Sequence, residues 1–495
     1  MDAINDVFIT IDGWVWSVYL LIPLLAGTGL ILTIRLRGVQ FTKLWPALKL
    51  GLIKRKDPGA AGDISQYQAL TTALAATVGV GNIVGVATAI GIGGPGALFW
   101  MWITGLLGMA SKYAEAFLGS KYREKDSRGE VIGGPQVYLQ KAIAGPLGKI
   151  LAVTFAVFGA LAAFGIGNGT QVRAMVDNLD VAFGVDPLVT GVTVMILVGL
   201  VLLGGIKWIG RVTAGFVPLM IVVYLLAGTV VLLMNVGSIP EAFGMVFSDA
   251  FTGTAKGDDI AGAAVGIAIQ KGMARGIFSN ESGMGSAAIV AAAAKTSHPV
   301  RQGLVSMTQT FIDTIIVVTF TGLVVLSTGV WRHAPVGDGT RGEEGLTQDA
   351  FTVAFGAEWG PRLGAPLVAI CVVFFALSTV IGWSYYGERC AVRLLGIRAQ
   401  MPYRVFFTGL IVIWSQFRAE TIWNIADILN GLMALPNLIG LLLLSGMIAR
   451  ETRAYLAQDP DLTKGDVKPD KHLMAIDFKG FKVNWVPSQK RVSHR

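Results

Sequence analysis

Charge is what this sequence has least of. Only 15% of its 495 residues are Asp, Glu, Lys or Arg and 53% are hydrophobic, whereas soluble chains carry about 25% charge. That scarcity excludes the ordinary soluble and disordered classes and points to a membrane protein. Cysteine is nearly absent, with Cys371 and Cys390 alone. Nineteen residues of helix would hold them about 28 Å apart, so they cannot bridge each other. The four histidines (His298, His333, His472 and His494) form no metal spacing with them, so a disulfide framework and a metalloenzyme are both excluded. A Walker A sequence, a nucleophile elbow and a basic-aromatic patch are also missing, which leaves no enzyme class and no nucleic-acid partner. The formal charge is +8, but the cations fall between apolar runs, as in loops on an anionic membrane face.

Apolar runs long enough to span a bilayer, about 20 residues each, lie near 14–36, 66–92, 97–119, 146–175, 188–206 and 213–236. Others lie near 262–295, 302–330, 363–388, 404–418 and 424–448, which makes eleven. Lys and Arg collect in every second loop, starting with Arg35, Arg37, Lys43, Lys49, Lys54, Arg55 and Lys56. Lys121, Arg123, Lys125 and Arg128 follow, then Lys207 and Arg211, Lys295 and Arg301, and Arg389 to Arg404. The intervening loops are acidic or mixed. The positive-inside rule then places the N-terminus outside and the C-terminus in the cytoplasm of a multi-pass plasma-membrane protein. "MDAINDVFITIDG" lacks the basic region of a signal peptide and reads as an exported tail before the first anchor.

With the first helix peripheral, the rest divides as five and five, and an odd half makes the second inverted relative to the first. The expected organisation is an N-terminal helix and basic loop (1–62), a first repeat (63–236) and an external linker (237–261). A second repeat (262–448) and a basic, partly disordered cytoplasmic tail (449–495) complete it. The first helix of each half carries a polar, glycine-containing fault, "TVGVGN" at 77–82 and "FSNESGMG" at 278–285. Opening a helix in lipid costs several kcal/mol per unpaired backbone group, so such a break persists where protein, water or ligand satisfies it. A half-helix N-terminus suits a carboxylate, and exposed carbonyls suit a hard cation such as Na⁺. The alternative for one such stretch is close helix packing through small residues. Two matched interruptions favour a midplane binding site.

"GIGGPG" at 91–96 has the dinucleotide spacing but lacks the βαβ context, and reads as a tight external turn. The sequons at Asn168 and Asn280 fall inside apolar runs, where glycosylation is excluded. Polar residues within spans are costly and mark function: Gln171 beside Asn168 and Thr170, Asn280 and Glu281, Asp313, and Ser378, Thr379 and Trp383. Lys271 and Arg275, four apart, suit either an outer gate or pairing with acidic residues at the surface. Lys112 with Glu115 reads as a structural pair.

"TTALAATVGVGNIVGVATAIGIGGPGALFWMWITGLLGMASKYAEA" and "GIFSNESGMGSAAIVAAAAKTSHPVRQGLVSM" closely resemble the alanine or glycine:cation symporter family. So do "FGIGNGTQ", "STVIGWSYYGE" and "WNIADILNGLMALPNLIGLLLLSG", and the likeness covers nearly all of the chain before the tail. The resemblance implies an all-α polytopic fold of 11 transmembrane helices, the 5+5 inverted repeat of LeuT-like, APC-type transporters plus one N-terminal helix. It implies symport of a small neutral amino acid, L-alanine or glycine, with Na⁺ or occasionally H⁺ as coupling ion and no other cofactor. By that likeness Thr77, Gly79, Gly81 and Asn82 line the substrate, with Phe278, Asn280 and Gly283 on the second break. Gln171 and Trp383 bound the pocket, and the carbonyls of Ala75 and Val78 with the hydroxyls of Ser378 and Thr379 hold Na⁺. "SNESG" stands where the family form is "SNEAG", which puts Ser282 near the pocket. A passive amino-acid channel is the competing class, though no filter-forming segment is present.

Overall fold

The structure is a computed structural model that describes residues 2–17, 19–55, 57, 60–253, 261–333, 345–417 and 419–463. It is almost wholly helical. Among the described residues the only sheet is a two-residue hairpin, Glu124–Lys125 against Val131–Ile132. Five helical stretches are long and apolar enough to cross a membrane by length and composition: Pro146–Phe183, Gly205–Met234, Pro299–Ser327, Leu346–Leu395 and Ile422–Gln458.

Helix α1 is Asp2–Val15, where the sequence reads as a tail, and α2 is Leu21–Arg35. The run at 66–92 divides into α3 (Gln66–Thr77) and α4 (Val84–Gly93), followed by α5 (Gly96–Lys121). Ser65 starts α3 with a reciprocal cap: its hydroxyl accepts from the Gln68 N–H at 3.1 Å and the Gln68 amide oxygen accepts from the Ser65 N–H at 3.0 Å. Two orphan donors are thereby satisfied. The α4–α5 turn pivots on Gly94 at φ 74, and "GIGGPG" is indeed a tight turn. Helices α6 (Pro146–Phe164) and α7 (Thr170–Phe183) are joined by a π-helical turn at Gly165–Gly169. Then come α8 (Pro187–Leu203) and α9 (Gly205–Met234).

The second half repeats the interruption, with α10 (Ala261–Asn280) and α11 (Ser286–Ala293) separated by five residues. Helices α12 (Pro299–Thr310) and α13 (Thr319–Ser327) flank a π-helical stretch at Phe311–Val318. Helices α14 (Ala365–Leu395), α15 (Gln400–Trp414) and α16 (Ala419–Gln458) follow, and shorter helices such as Pro135–Ala142, Ile239–Thr252 and Leu346–Trp359 lie in the connections. The folded chain thus runs past 449: Tyr455 of α16 packs its ring 4.3 Å from that of His298, and the Leu462 carbonyl accepts from Arg301 at 3.0 Å. The rest of the expected tail, from 464 on, lies outside the described residues.

Glycine lets the helices meet backbone to backbone, as packing without a hydrophobic drive between helices requires. A Cβ on Gly272 or Gly119 would lie 2.3 Å from the Ala97 carbonyl or 2.5 Å from the Ala288 carbonyl, which brings α5 against both halves of the second broken helix. Cys371 and Cys390 are free and buried.

One end of the bundle carries paired charges. Arg301 meets Asp57 at 3.1 Å, Lys121 meets Glu451 at 2.6 Å, Arg404 meets Glu388 at 2.5 Å, and Arg389 meets Glu130 at 2.5 Å. Near the start of α16, Arg275 pairs with Asp427 at 3.2 Å and stacks 4.8 Å over the Trp423 ring. The choice left open for Arg275 therefore falls on pairing. Helix α1 docks beside it, for the Trp16 indole N–H donates to the Asp427 carbonyl at 3.0 Å and Gln270 donates to the Trp16 carbonyl at 3.2 Å.

Burial first, and the Asp427 carboxylate second, push the Asp12 carboxyl up to about 7, while Arg275 and Lys271 pull the other way. An acid with a raised folded pKa adds stability that is complete below its ordinary value of 3.8 and is lost as pH rises towards about 7. Docking of α1 is therefore expected to weaken from about pH 4 to about pH 7, and Asp12→Asn to remove that dependence. Thiol labelling of a cysteine placed on α1, followed against pH, reads this directly; a pH-dependent wild type matched by an equally dependent Asp12→Asn would contradict it.

Candidate functional site

Helix α3 stops at Thr77, whose hydroxyl donates back to the Ala73 carbonyl at 3.0 Å. Gly79 is extended (φ −132, ψ −151), Val80–Asn82 make one 3₁₀ turn, and α4 resumes at Val84. The freed groups find side chains. The Gly79 N–H donates to the Asn82 amide oxygen at 3.0 Å, and the Val80 N–H to that of Gln171 at 3.2 Å. Thr321 donates to the Asn82 carbonyl at 2.7 Å and Thr347 to the Ile83 carbonyl at 2.9 Å. This is how an open helix is tolerated at membrane depth.

The second break turns through left-handed backbone at Glu281 (φ 54), Gly283 (φ 91) and Gly285 (φ 82). Glu281 has a Cβ, and its conformation costs on the order of 1–2 kcal/mol, so it is held from several sides. Its carbonyl accepts from the Lys112 ammonium at 2.9 Å, and its carboxylate accepts from the Trp383 indole N–H at 2.6 Å and the Ser286 hydroxyl at 2.5 Å. Glu115 accepts from the Gly285 N–H at 2.9 Å and from Asn437 at 2.8 Å, with Lys112 at 3.9 Å. The Lys112–Glu115 pair thus braces the break.

Ala75, Val78, Ser378 and Thr379 come together. The Ala75 carbonyl accepts from both hydroxyls, at 3.2 Å from Ser378 and 3.0 Å from Thr379, and the Val78 carbonyl lies 3.5 Å from the Ser378 hydroxyl. Gly79 faces the same place, since a Cβ there would lie 2.3 Å from the Thr379 hydroxyl and 2.9 Å from the Gln171 amide oxygen. Four oxygens with no sulfur or nitrogen suit a hard monovalent cation. Among the described residues no group of three His, Cys, Asp or Glu could hold a metal.

Asp313 joins the two breaks. Its carboxylate accepts from Asn82 at 2.8 Å, from Ser279 at 3.0 Å and from Thr314 at 2.8 Å, and it is wholly buried. Gln309, one turn earlier, donates to the Thr77 hydroxyl at 2.9 Å and to the Asn280 carbonyl at 3.3 Å. The sequence reading singled out Asp313 without a partner and missed Ser279, Gln309 and Thr314. The signal for Gln309 and Thr314 was the polar spacing 309, 310, 313, 314 inside an apolar span, which puts all four on one helical face. The π-helical stretch at Phe311–Val318 carries Asp313, and such turns recur at functional sites.

The other expected residues are less uniform. Gly81 backs onto Ser279 and Phe278, and the Phe278 ring packs 4.9 Å from that of Trp423. Asn280 donates to Thr314 at 3.0 Å and accepts from the Ser282 N–H at 2.9 Å, so it stitches its own break. Gly283 stands apart: a Cβ there would meet Leu25 and Leu438, and its carbonyl accepts from Asn437 at 2.8 Å. It serves the turn and faces α2 and α16. The Ser282 hydroxyl bonds that of Thr310 at 3.0 Å, against Gly108 of α5.

Helices long and apolar enough to cross a bilayer, gathered around two broken ones whose backbones meet buried polar side chains, make this a polytopic membrane transporter. The chain belongs to the sodium:alanine symporter family, which matches residues 1–469, and it is a transporter and not an enzyme. It is 52% identical to the sodium/alanine symporter AgcS of Methanococcus maripaludis, over 90% of this chain and 96% of the relative. It is 47% identical to an uncharacterized transporter of Haemophilus influenzae, over 92% and 96% of the two chains. Among solved structures it shares the fold of MhsT, crystallised in complex with L-phenylalanine, with a TM-score of 0.53 and 14% identity over 79% of this chain and 98% of the other.

Proposed function

We propose that the protein imports a small neutral amino acid, alanine or glycine, with Na⁺ by alternating access. The observation that carries this is the oxygen set of Ala75, Val78, Ser378 and Thr379 lying directly against the first break at Gly79. A cation there bridges α3 and α14, and the hydroxyls, which now donate to the carbonyls, turn their lone pairs to it. Cation binding thereby orders the interrupted backbone next to the substrate. Thr77, Gly79, Gly81, Asn82 and Gln171 bind the amino acid, its carboxylate taken by backbone N–H groups of the break. Phe278, Asn280 and Trp383 bound the space from α10 and α14. The eleven helices lie as a 5+5 inverted repeat behind α2, with the N-terminus outside and the charged-pair end cytoplasmic, as the basic loops require.

Asp313 favours H⁺ as a second coupling ion. A wholly buried carboxylate with only neutral donors calls for a proton or a cation beside it. The test is uptake of labelled alanine into proteoliposomes under Na⁺, Li⁺ or proton gradients imposed separately, competed by glycine and D-alanine. A Na⁺ gradient is expected to drive accumulation, with exchange of trapped for external label. Uptake indifferent to every gradient and lacking that exchange would make the protein a channel.

Thr77→Ala and Gln171→Ala are each expected to weaken uptake about fivefold, one hydrogen bond to a buried partner being worth about 1 kcal/mol. Their abundance in the membrane is expected to stay at the wild-type level. Wild-type uptake by both variants would sink this pocket.

A further inference from the structure

Away from the broken helices, the end of α2 and the last turns of α16 enclose a cavity of about 310 Å³ lined by Arg35, Arg37, Arg450 and Arg453, with Ile34 at its rim. It is at the low end of ligand-pocket sizes, about 300–1,000 Å³. Four guanidinium groups in one cavity are unusual in this protein. Arg301, Arg389, Arg393 and Arg404 each meet a carboxylate. Around this cavity Arg35 donates to the Ser445 hydroxyl at 2.8 Å, and Arg453 donates to the Ala449 carbonyl of its own helix at 3.1 Å. Neither these two nor Arg37 meets a carboxylate among the described residues.

The simplest account is that basic residues gather at helix C-termini to meet the helix dipole. Two helix ends supply about one negative charge between them, against the three positive charges of Arg35, Arg37 and Arg453, so most of that charge is uncompensated. Arg37 is also held in left-handed backbone (φ 55), next to Gly38 (φ 64), at the turn where α2 ends. A bulky side chain in that conformation persists only where its surroundings impose it.

The cavity opens beside an apolar stripe. Leu30 and Ile34 of α2 are exposed, Ile34 at 67%, on the side of α2 turned from α5, where Gly29 abuts the Leu107 backbone. The cavity and this stripe are placed so that one molecule could seat a phosphate in the first and lay an acyl chain along the second. We infer that Arg35, Arg37, Arg450 and Arg453 form a binding site for the headgroup of an anionic phospholipid. Guanidinium forks match phosphate oxygens in pairs, and basic pockets between spanning helices are suited to such headgroups. The occupant ties α2 to α16, and this inference holds whatever the transported substrate.

The test uses the full chain, purified and supplied with equal amounts of phosphatidylglycerol and phosphatidylcholine, with retained lipid read by native mass spectrometry. The wild type is expected to retain phosphatidylglycerol preferentially. Arg37→Gln with Arg453→Gln is expected to lower that preference about 25-fold, about fivefold per arginine. Arg37→Lys with Arg453→Lys keeps the charge and is expected to keep most of the preference. Equal retention of both lipids by the wild type would overturn the inference, as would an undiminished preference in the Gln pair. Equal loss in the Gln and Lys pairs would also overturn it, because packing and not charge would then be responsible. Displacement of phosphatidylglycerol by millimolar inorganic phosphate would make this a small-anion site, again overturning the assignment to lipid.

Discussion

Gly79→Ala is expected to cut alanine uptake about a hundredfold. The added methyl would stand 2.3 Å from the Thr379 hydroxyl and 2.9 Å from the Gln171 amide oxygen, distances no Cβ tolerates. Relief moves Thr379 off the Ala75 carbonyl or Gln171 off the Val80 N–H, and overpacking of this kind costs about 1–3 kcal/mol. Both moves spoil the first break: one disperses the oxygen set, the other leaves a backbone donor unpaired. Adding Thr379→Ala to Gly79→Ala removes the shortest of these contacts and leaves the end of the flexible Gln171 side chain to shift by a few tenths of an ångström. That double variant is expected to regain membrane abundance without regaining Na⁺-driven uptake. Restored Na⁺-driven uptake in the double variant would show that the Thr379 hydroxyl is dispensable and would remove it from the cation site.

Asp313→Asn is expected to abolish transport to at least a similar extent, roughly a hundredfold or more, while the protein inserts normally. The amide has the shape of the carboxylate, and the Ser279 and Thr314 hydroxyls can rotate to accept from its NH₂ group. One oxygen then still accepts from Asn82, so the local fold has a way to survive. What is lost is the negative charge at a carboxylate bonded to both interrupted helices. Hydrogen bonds to a charged group contribute about 1.5–3 kcal/mol each, and three converge here. Uptake measured across pH and Na⁺ concentration distinguishes the roles: loss of cation dependence together with rate assigns Asp313 to coupling. Wild-type uptake with unchanged cation dependence would exclude it.

The first break was legible because Gly79 and Gly81 weaken a helix locally and their effect needs no distant partner. "FSNESGMG" was legible for the same reason, with Gly283 and Gly285 supplying left-handed backbone. Sequence spacing says nothing about direction at Gly283, where a Cβ would point to Leu25 and Leu438. Helix α1 was missed because it is short and begins in an acidic stretch, and its docking depends on Trp16 and Gln270 meeting residues far along the chain. Asp313 was visible as a costly charge, yet its partners Asn82 and Ser279 are 231 and 34 residues away.

The sequence by itself determined that this is a membrane protein of many helices, which two of them are interrupted, and which family it resembles. Those properties follow from composition, run length and local backbone chemistry, each written within some twenty consecutive residues. Only the tertiary structure decided which groups satisfy the open backbone, that Ser378 and Thr379 bond the Ala75 carbonyl, and that four arginines from α2 and α16 surround one cavity. The physical reason is that a buried polar group is satisfied by whatever the packing brings within about 3 Å, and packing of distant helices is not encoded in any one stretch of chain.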